Sequence, residues 1–247
     1  SALPILSDRL QVEGALFGTY LEGAPDETVL APRLGFAWTP VEGHWLRLGW
    51  LRERPGLESN TLAPIGLLGL DAIDLPPATG QVDAAIARWD AEWTPRFFTA
   101  AEYQHLEIED LSIAFAGGLD PLSAPTARMD QVELSANLWI AGGFGVFGAA
   151  ARNWSEADLP GGDGAIPFVP DVSARFGITH VNPRRFSVTL AETYLGTRNS
   201  QIRGETLASA WTTDLTGSWV SESRRFELSA GIYNLFDEDY EIAPGVA

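Results

Sequence analysis

The sequence predicts an all-β chain: an antiparallel transmembrane β-barrel of which about eleven or twelve strands are visible. Three observations predict it. Apolar residues recur at period two through run after run, and few runs have helical period. Tight turns alternate with long polar loops along the chain. Aromatic residues gather at the strand ends beside the tight turns.

Composition sets the frame. The 247 residues suit one domain, with 9 Trp and 12 Phe but 1 Met, and 25 Gly. A hydrophobic share of 45% goes with a mean hydropathy of -0.01, as alternation of apolar and polar residues requires. The net charge of -17, from 16 Lys+Arg against 33 Asp+Glu, excludes nucleic acid as a partner, because phosphate contact needs a basic face. Acidic loops that concentrate cations, or solubility alone, both account for it. With no cysteine, disulfides and thiolate metal sites are excluded. No run approaches the roughly 20 apolar residues of a membrane helix. Leu62 to Leu70 comes nearest, broken by Pro64 and two glycines. A membrane crossing would therefore be made by a closed barrel, which alone leaves no strand edge in lipid. No signal-like segment leads the chain, which reads as mature, trimmed or a fragment.

The elements follow in order. Arg9 to Leu21 alternates, with Leu10, Val12, Leu16 and Tyr20 on one face and Gln11, Glu13 and Thr19 on the other. After a polar break at Glu22 to Glu27, Arg33 to Thr39 carries Leu34, Phe36 and Trp38 on one side. Pro40 to Gly43 turns the chain into His44 to Arg52, a hairpin. Glu53 to Gln81 reads as a long irregular loop. Val82 to Trp93 sets Ala85, Ala87, Trp89, Ala91 and Trp93 against Ala84, Ile86, Arg88, Asp90 and Glu92. Thr94-Pro95 turns it into Arg96 to Glu109, and a second long loop runs to about Arg128. Gln131 to Ile140 is the cleanest strand: Val132, Leu134, Ala136, Leu138 and Ile140 face one way. Gly142-Gly143 leads into Phe144 to Trp154, then a loop over Asp158 to Gly164. Val172 to Val181, a turn at Pro183, and Phe186 to Thr197 follow. A break at Asn199 to Glu205 precedes Leu207 to Val220, and the chain returns through Phe226 to Tyr233. The turn-side aromatics are Trp38, Trp45, Trp93, Phe97, Trp139, Phe144, Phe186, Trp219 and Phe226, where an interfacial girdle would lie.

Three stretches carry a family resemblance. RFELSAGIYNLFDEDY (Arg225 to Tyr240) resembles the last-but-one strand of a TonB-dependent receptor, an outer-membrane barrel. PRLGFAWTPVEGHWLRLGW (Pro32 to Trp50) and IPFVPDVSARFGITHVNPRRFSVTLAETYLGTR (Ile166 to Arg198) resemble that family too. The resemblance implies location in the outer membrane of a Gram-negative bacterium and uptake of a scarce solute of siderophore, cobalamin or saccharide type. It implies outer-membrane lipid as surroundings and the TonB complex as partner where a plug domain exists. It also implies a barrel of about 22 strands, with one more strand after this motif. Residues 1–247 read as barrel domain without a visible plug. The chain is then the C-terminal half of a larger barrel, or a smaller barrel of about twelve strands. A passive or export porin, and a soluble β-sandwich binding module, are the alternative functions.

The alternation assigns side chains to faces. Leu134, Leu138, Leu215 and Ile232 are expected on the lipid side. Arg47, Arg88, Asp90, Glu92, Glu133, Arg175, Asp214 and Glu227 are expected in the lumen, because a charge at the bilayer midplane costs about 2–4 kcal/mol for Arg or Lys. Ligand capture is expected of the loops over Leu57 to Leu75, Phe115 to Leu122, Asp158 to Phe168 and Asp237 to Tyr240. Asn234, Leu235, Phe236 and Asp237 are expected to fix a strand end, with Asn and Asp capping the turn while Phe packs. No catalytic residue, metal site or cofactor is expected. His44, His105 and His180 are not at ligand spacing, and no Gly-x-Ser-x-Gly elbow is present.

Overall fold

The computed structural model of the chain describes residues 9–21, 27–55, 67–73, 79–113, 121–160, 162, 164–200 and 204–240. The strands are β1 Leu10–Leu21, β2 Glu27–Trp38, β3 His44–Glu53, β4 Val82–Thr94, β5 Phe97–Ile113, β6 Leu122–Ala141, β7 Phe144–Ala157, β8 Val172–Asn182, β9 Phe186–Leu195, β10 Arg198–Asn199, β11 Thr206–Leu207, β12 Ala210–Val220 and β13 Glu227–Ile232. Eleven of them form one sheet in the order β1-β2-β3-β4-β5-β6-β7-β8-β9-β12-β13, while β10 and β11 make a separate two-stranded ribbon. The sheet is not closed among the described residues: β1 and β13 are its edges. No helix there is long and apolar enough to cross a membrane, which says nothing of crossing by strands.

Within the large sheet each strand pairs with that sheet's next strand along the chain, β9 with β12 across the β10–β11 ribbon, so the sheet is an antiparallel meander. Register follows the pleat. Trp38 faces Leu46 across β2 and β3, Ile178 faces Leu190 across β8 and β9, and Leu215 faces Ile232 across β12 and β13. Pro32 lies inside β2, where its missing N–H would break a ladder bond. Its recorded pairing is with Leu16 of β1, and the β2–β3 register stops at Arg33 opposite Leu51.

Several boundaries correct the sequence reading. β6 starts at Leu122, so the second long loop ends well before Arg128. β2 begins at Glu27 and β5 runs on to Ile113. β9 ends at Leu195, and β12 begins at Ala210 because Thr206–Leu207 pairs with Arg198–Asn199 instead.

The chain divides into two compact units, with β4 to β7 contributing to both. One holds Ser1–Asp90, Glu102–Val132 and Trp154–Ile166. Its sheet buries one face and exposes the other. Leu51, Val82, Ala84, Ile86, Leu106 and Ile108 are 0–3% exposed, while Leu16 and Leu34 are exposed. The second unit holds Ala91–Ala101, Glu133–Asn153 and Pro167–Ala247. There, Leu207 is the largest buried apolar residue described, and Leu134, Leu138, Ile178, Leu190, Leu228 and Ile232 stay exposed. A water-soluble unit would bury such a row of leucines and isoleucines.

Candidate functional site

Two charged assemblies lie on the face opposite the exposed apolar one. The first belongs to the first unit. Arg47 of β3 pairs with Asp90 of β4. Asp90 also accepts from Arg88 Nε at 3.0 Å, and Arg88 Nη1 reaches Glu102 of β5 at 3.1 Å. Two arginines thus meet two carboxylates, so the local charge balances. These side chains share a face because 88 and 90 are two apart on one strand. The expected lumen residues Arg47, Arg88 and Asp90 are brought together, and Glu102 and Gln104 complete the row.

A hairpin tip from the β3–β4 connection rests on this face. Leu67 and Leu70 exchange both backbone hydrogen bonds, at 3.2 and 2.8 Å. The two residues between them, Leu68 and Gly69, have φ of 53° and 72°, the positive values that a two-residue hairpin turn of this twist needs. Leu67 and Leu70 are each 1% exposed. They fit because β2 and β3 carry glycine beneath them: a Cβ on Gly35 would sit 2.6 Å from Leu67 Cγ, and one on Gly49 would sit 3.0 Å from Leu70 Cδ1. Polar contacts fix the rest. Arg47 Nη1 donates to Leu68 O at 2.9 Å, and Leu68 N donates to Glu13 Oε2 of β1 at 3.1 Å. The buried Gln104 of β5 accepts from Ile73 N at 3.0 Å and donates to Asp71 O at 3.1 Å. Most of the expected capture loop Leu57 to Leu75 lies outside the described residues, but 67–73 is this wall-bound tip. Sequence reading missed it; the glycines at 35 and 49, each between large residues of a strand, were the available signal.

The second assembly belongs to the second unit. Arg175 of β8 donates through Nη1 to Thr193 Oγ1 at 2.7 Å and to Asp214 Oδ2 at 3.1 Å. Asp214 Oδ1 accepts from the backbone of Asn234 at 3.1 Å. Asn234 has φ 50°, and its side chain closes a ring with Glu238, donating to Glu238 O at 2.9 Å and accepting from Glu238 N at 3.0 Å. Leu235 N then donates to Thr213 O at 2.7 Å. Asn234 and Asp237 occupy turn conformations here, while Phe236 is 74% exposed and is not packed as the sequence suggested. Glu92, Glu133 and Glu227 join neither assembly, and Glu227 is exposed at the edge strand.

The opposite face carries aromatic side chains. Of the nine expected at the turns, Trp38, Trp93, Phe144, Phe186, Trp219 and Phe226 are exposed there and Phe97 is half-buried, whereas Trp45 and Trp139, also exposed, fall by the pleat on the charged face, in step with Arg47 and Glu133. A second set was not foreseen. Trp211 lies eight residues from Trp219 on β12 and opposite Tyr194, which lies eight residues from Phe186 on β9. Trp211 packs against Tyr194 at 4.8 Å and edge-on against Phe176 at 6.0 Å between ring centroids. Of the four expected lipid-side residues, Leu134, Leu138 and Ile232 are exposed and Leu215 is half-buried.

The histidines serve locally: His44 stacks on Trp89, His180 lies against Phe144, and His105 Nδ1 is 2.8 Å from Asp130 Oδ1. Among the described residues no group of three or more His, Asp or Glu side chains is arranged to hold a metal ion. Of the other expected capture loops, Phe115 to Leu122 lies almost wholly outside the described residues. Asp158 to Phe168 folds back, with Ala157 and Gly164 exchanging backbone hydrogen bonds at 2.7 and 3.1 Å.

No family model matches the chain, and no curated protein matches it by sequence. Solved structures do match. The siderophore receptor PiuA from Acinetobacter baumannii aligns with a TM-score of 0.66 at 13% identity, over 96% of this chain and 38% of that one. The copper transporter OprC aligns at 0.63 and 16% identity, over 95% and 41%. The ferric yersiniabactin uptake receptor FyuA from Yersinia pestis aligns at 0.62 and 17% identity, over 96% and 40%. These are TonB-dependent receptors, and this chain has the fold of their barrels. It spans about 40% of their length.

Proposed function

We propose that the chain is the C-terminal part of an outer-membrane receptor barrel in a Gram-negative bacterium, serving uptake of a scarce solute. The observation that carries the membrane reading is the spacing of the two aromatic sets. Eight residues at ~3.3 Å each give about 26 Å along β12, or about 20 Å once the strand tilts, close to the ~25 Å apolar band of such barrels. Between Phe186 and Tyr194, and between Trp219 and Trp211, the side chains on that face include Val188, Leu190 and Leu215. Arginines and carboxylates pair on the other face, where water or a plug would meet them.

The solute class rests on likeness of fold to receptors named for siderophores, iron and copper. A ferric siderophore fits that set better than a saccharide. Dependence on the TonB complex further requires a plug domain in the same protein. The test is heat modifiability: folded protein in detergent, run on a gel with and without boiling. A mobility shift together with β-sheet circular dichroism in detergent supports the barrel. A monodisperse protein in plain buffer without a shift would replace it with a soluble β-sandwich. Conductance in a planar bilayer then separates a plugged receptor from an open porin.

A further inference from the structure

We propose that the Leu67–Ile73 segment is a fixed constriction: a hairpin tip anchored on the inner wall that narrows the lumen beside β1 to β5. The proposal rests on the barrel reading above, since it takes the buried face of the first unit as the lumen side.

The tip is built to stay. Its turn is closed by two backbone hydrogen bonds of its own. The wall offers a niche shaped for it, because Gly35 and Gly49 leave out the side chains that would occupy the space of Leu67 and Leu70. Other strand residues at those positions would be favoured by β-propensity, so glycine there answers to the close approach. Both leucines are 1% exposed. The polar contacts come from three separate strands: Glu13 on β1, Arg47 on β3 and Gln104 on β5. Arg47 is shared between the tip and Asp90, so the wall's charge balance is coupled to the tip's anchorage. A loop that merely visited this face would not satisfy the carbonyl of Leu68 and the N–H groups of Leu68 and Ile73 from the wall.

Thiol labelling reads the anchorage, and the chain's lack of cysteine leaves no background. Leu70→Cys and, as an exposed reference, Ser123→Cys are made in the full chain, and each variant is checked by the heat-dependent gel shift. In the embedded protein a water-soluble maleimide should modify Cys at 70 at least ~10-fold more slowly than at 123. Gly35→Val, which fills the niche while favouring a strand, should abolish that protection, and Arg47→Ala should reduce it. Potassium chloride conductance in planar bilayers should rise with both variants relative to the parent. Equal labelling at 70 and 123 in protein that shows the gel shift would overturn the anchorage. Protection that survives Gly35→Val and Arg47→Ala would overturn it too, since something other than the niche would be shielding the site. Labelling released without a change in conductance would overturn the constriction. Absence of the gel shift in the parent chain would instead bring down the barrel reading, and this proposal with it.

Discussion

Asn234 donates its backbone N–H to Asp214 Oδ1 at 3.1 Å, while Arg175 holds the other carboxylate oxygen at the same distance. The Asn-Leu-Phe-Asp motif and two of the charged inner residues are therefore one assembly. Asp214 ties the end of β13 back to β12 and both to β8. Replacing it by alanine takes the acceptor from the Asn234 N–H and leaves the exposed Arg175 with Thr193 Oγ1 in place of the carboxylate. Asp214→Ala should cost about 1–3 kcal/mol. The control Glu227→Gln, on an exposed edge position, should stay within about 0.5 kcal/mol. The temperature at which the folded gel band disappears measures both. Equal losses would remove Asp214 from its joining role.

The Arg47–Asp90–Arg88–Glu102 row should behave as a unit. Arg88→Ala and Glu102→Ala each remove one end of the 3.1 Å contact. Combined, they should cost less than the sum of the two, with a coupling of about 0.5–3 kcal/mol. Denaturant unfolding of the four proteins of the cycle gives this number. Additivity would mean that the contact is a screened pair worth little.

Neighbouring positions on β6 separate the two faces. Leu134 is exposed, and Glu133 beside it points the other way. If lipid covers the exposed face, Leu134→Arg should cost about 2–4 kcal/mol in vesicles, and Glu133→Arg distinctly less. Folding titrations in phospholipid vesicles test the difference. Equal costs would argue that the row containing Leu134, Leu138 and Ile140 does not meet hydrocarbon.

Most strands were legible because a sheet with one apolar and one polar face demands a strict alternation along each strand. The alternation fails at the start of β6, where Ala124 and Ala127 are both buried although three residues apart. Pro125 stands between them, and a period of two cannot carry both to one face. The strand was therefore read from Gln131, after the pattern recovers. The Leu67–Leu70 tip was illegible for another reason. Its order depends on absent side chains at 35 and 49, about 20 to 30 residues away, and no local pattern records that. The charged row was legible as a face but not as a network: alternation gave Arg88 and Asp90 a common side, while Glu102 enters through strand pairing. Glu192 shows the limit in reverse. It pairs with Thr213 Oγ1 at 2.7 Å, in register between Leu190 and the aromatic Tyr194, on the face that sequence reading left to apolar residues.

The β7 turn gives the sharpest backbone prediction. Gly142 and Gly143 both have positive φ, 62° and 86°, but their surroundings differ. A Cβ on Gly142 would meet nothing within 4 Å, whereas one on Gly143 would lie 2.2 Å from the carbonyl oxygen of Val181. Val181 N in turn donates to Gly143 O at 2.7 Å, so the clash falls on the bond that starts the β7–β8 pairing. Gly142→Ala should cost only the left-handed strain, about 1–2 kcal/mol. Gly142→Asn should cost less, since asparagine tolerates that region. Gly143→Ala adds to the strain a contact that only a shift of the β8 end can relieve. It should be the most damaging of the three, with the loss appearing as a lower yield of folded, heat-modifiable protein and a lower unfolding midpoint. Gly142→Ala and Gly143→Ala matching within error would show that strain alone governs the turn and that β8 yields freely at Val181.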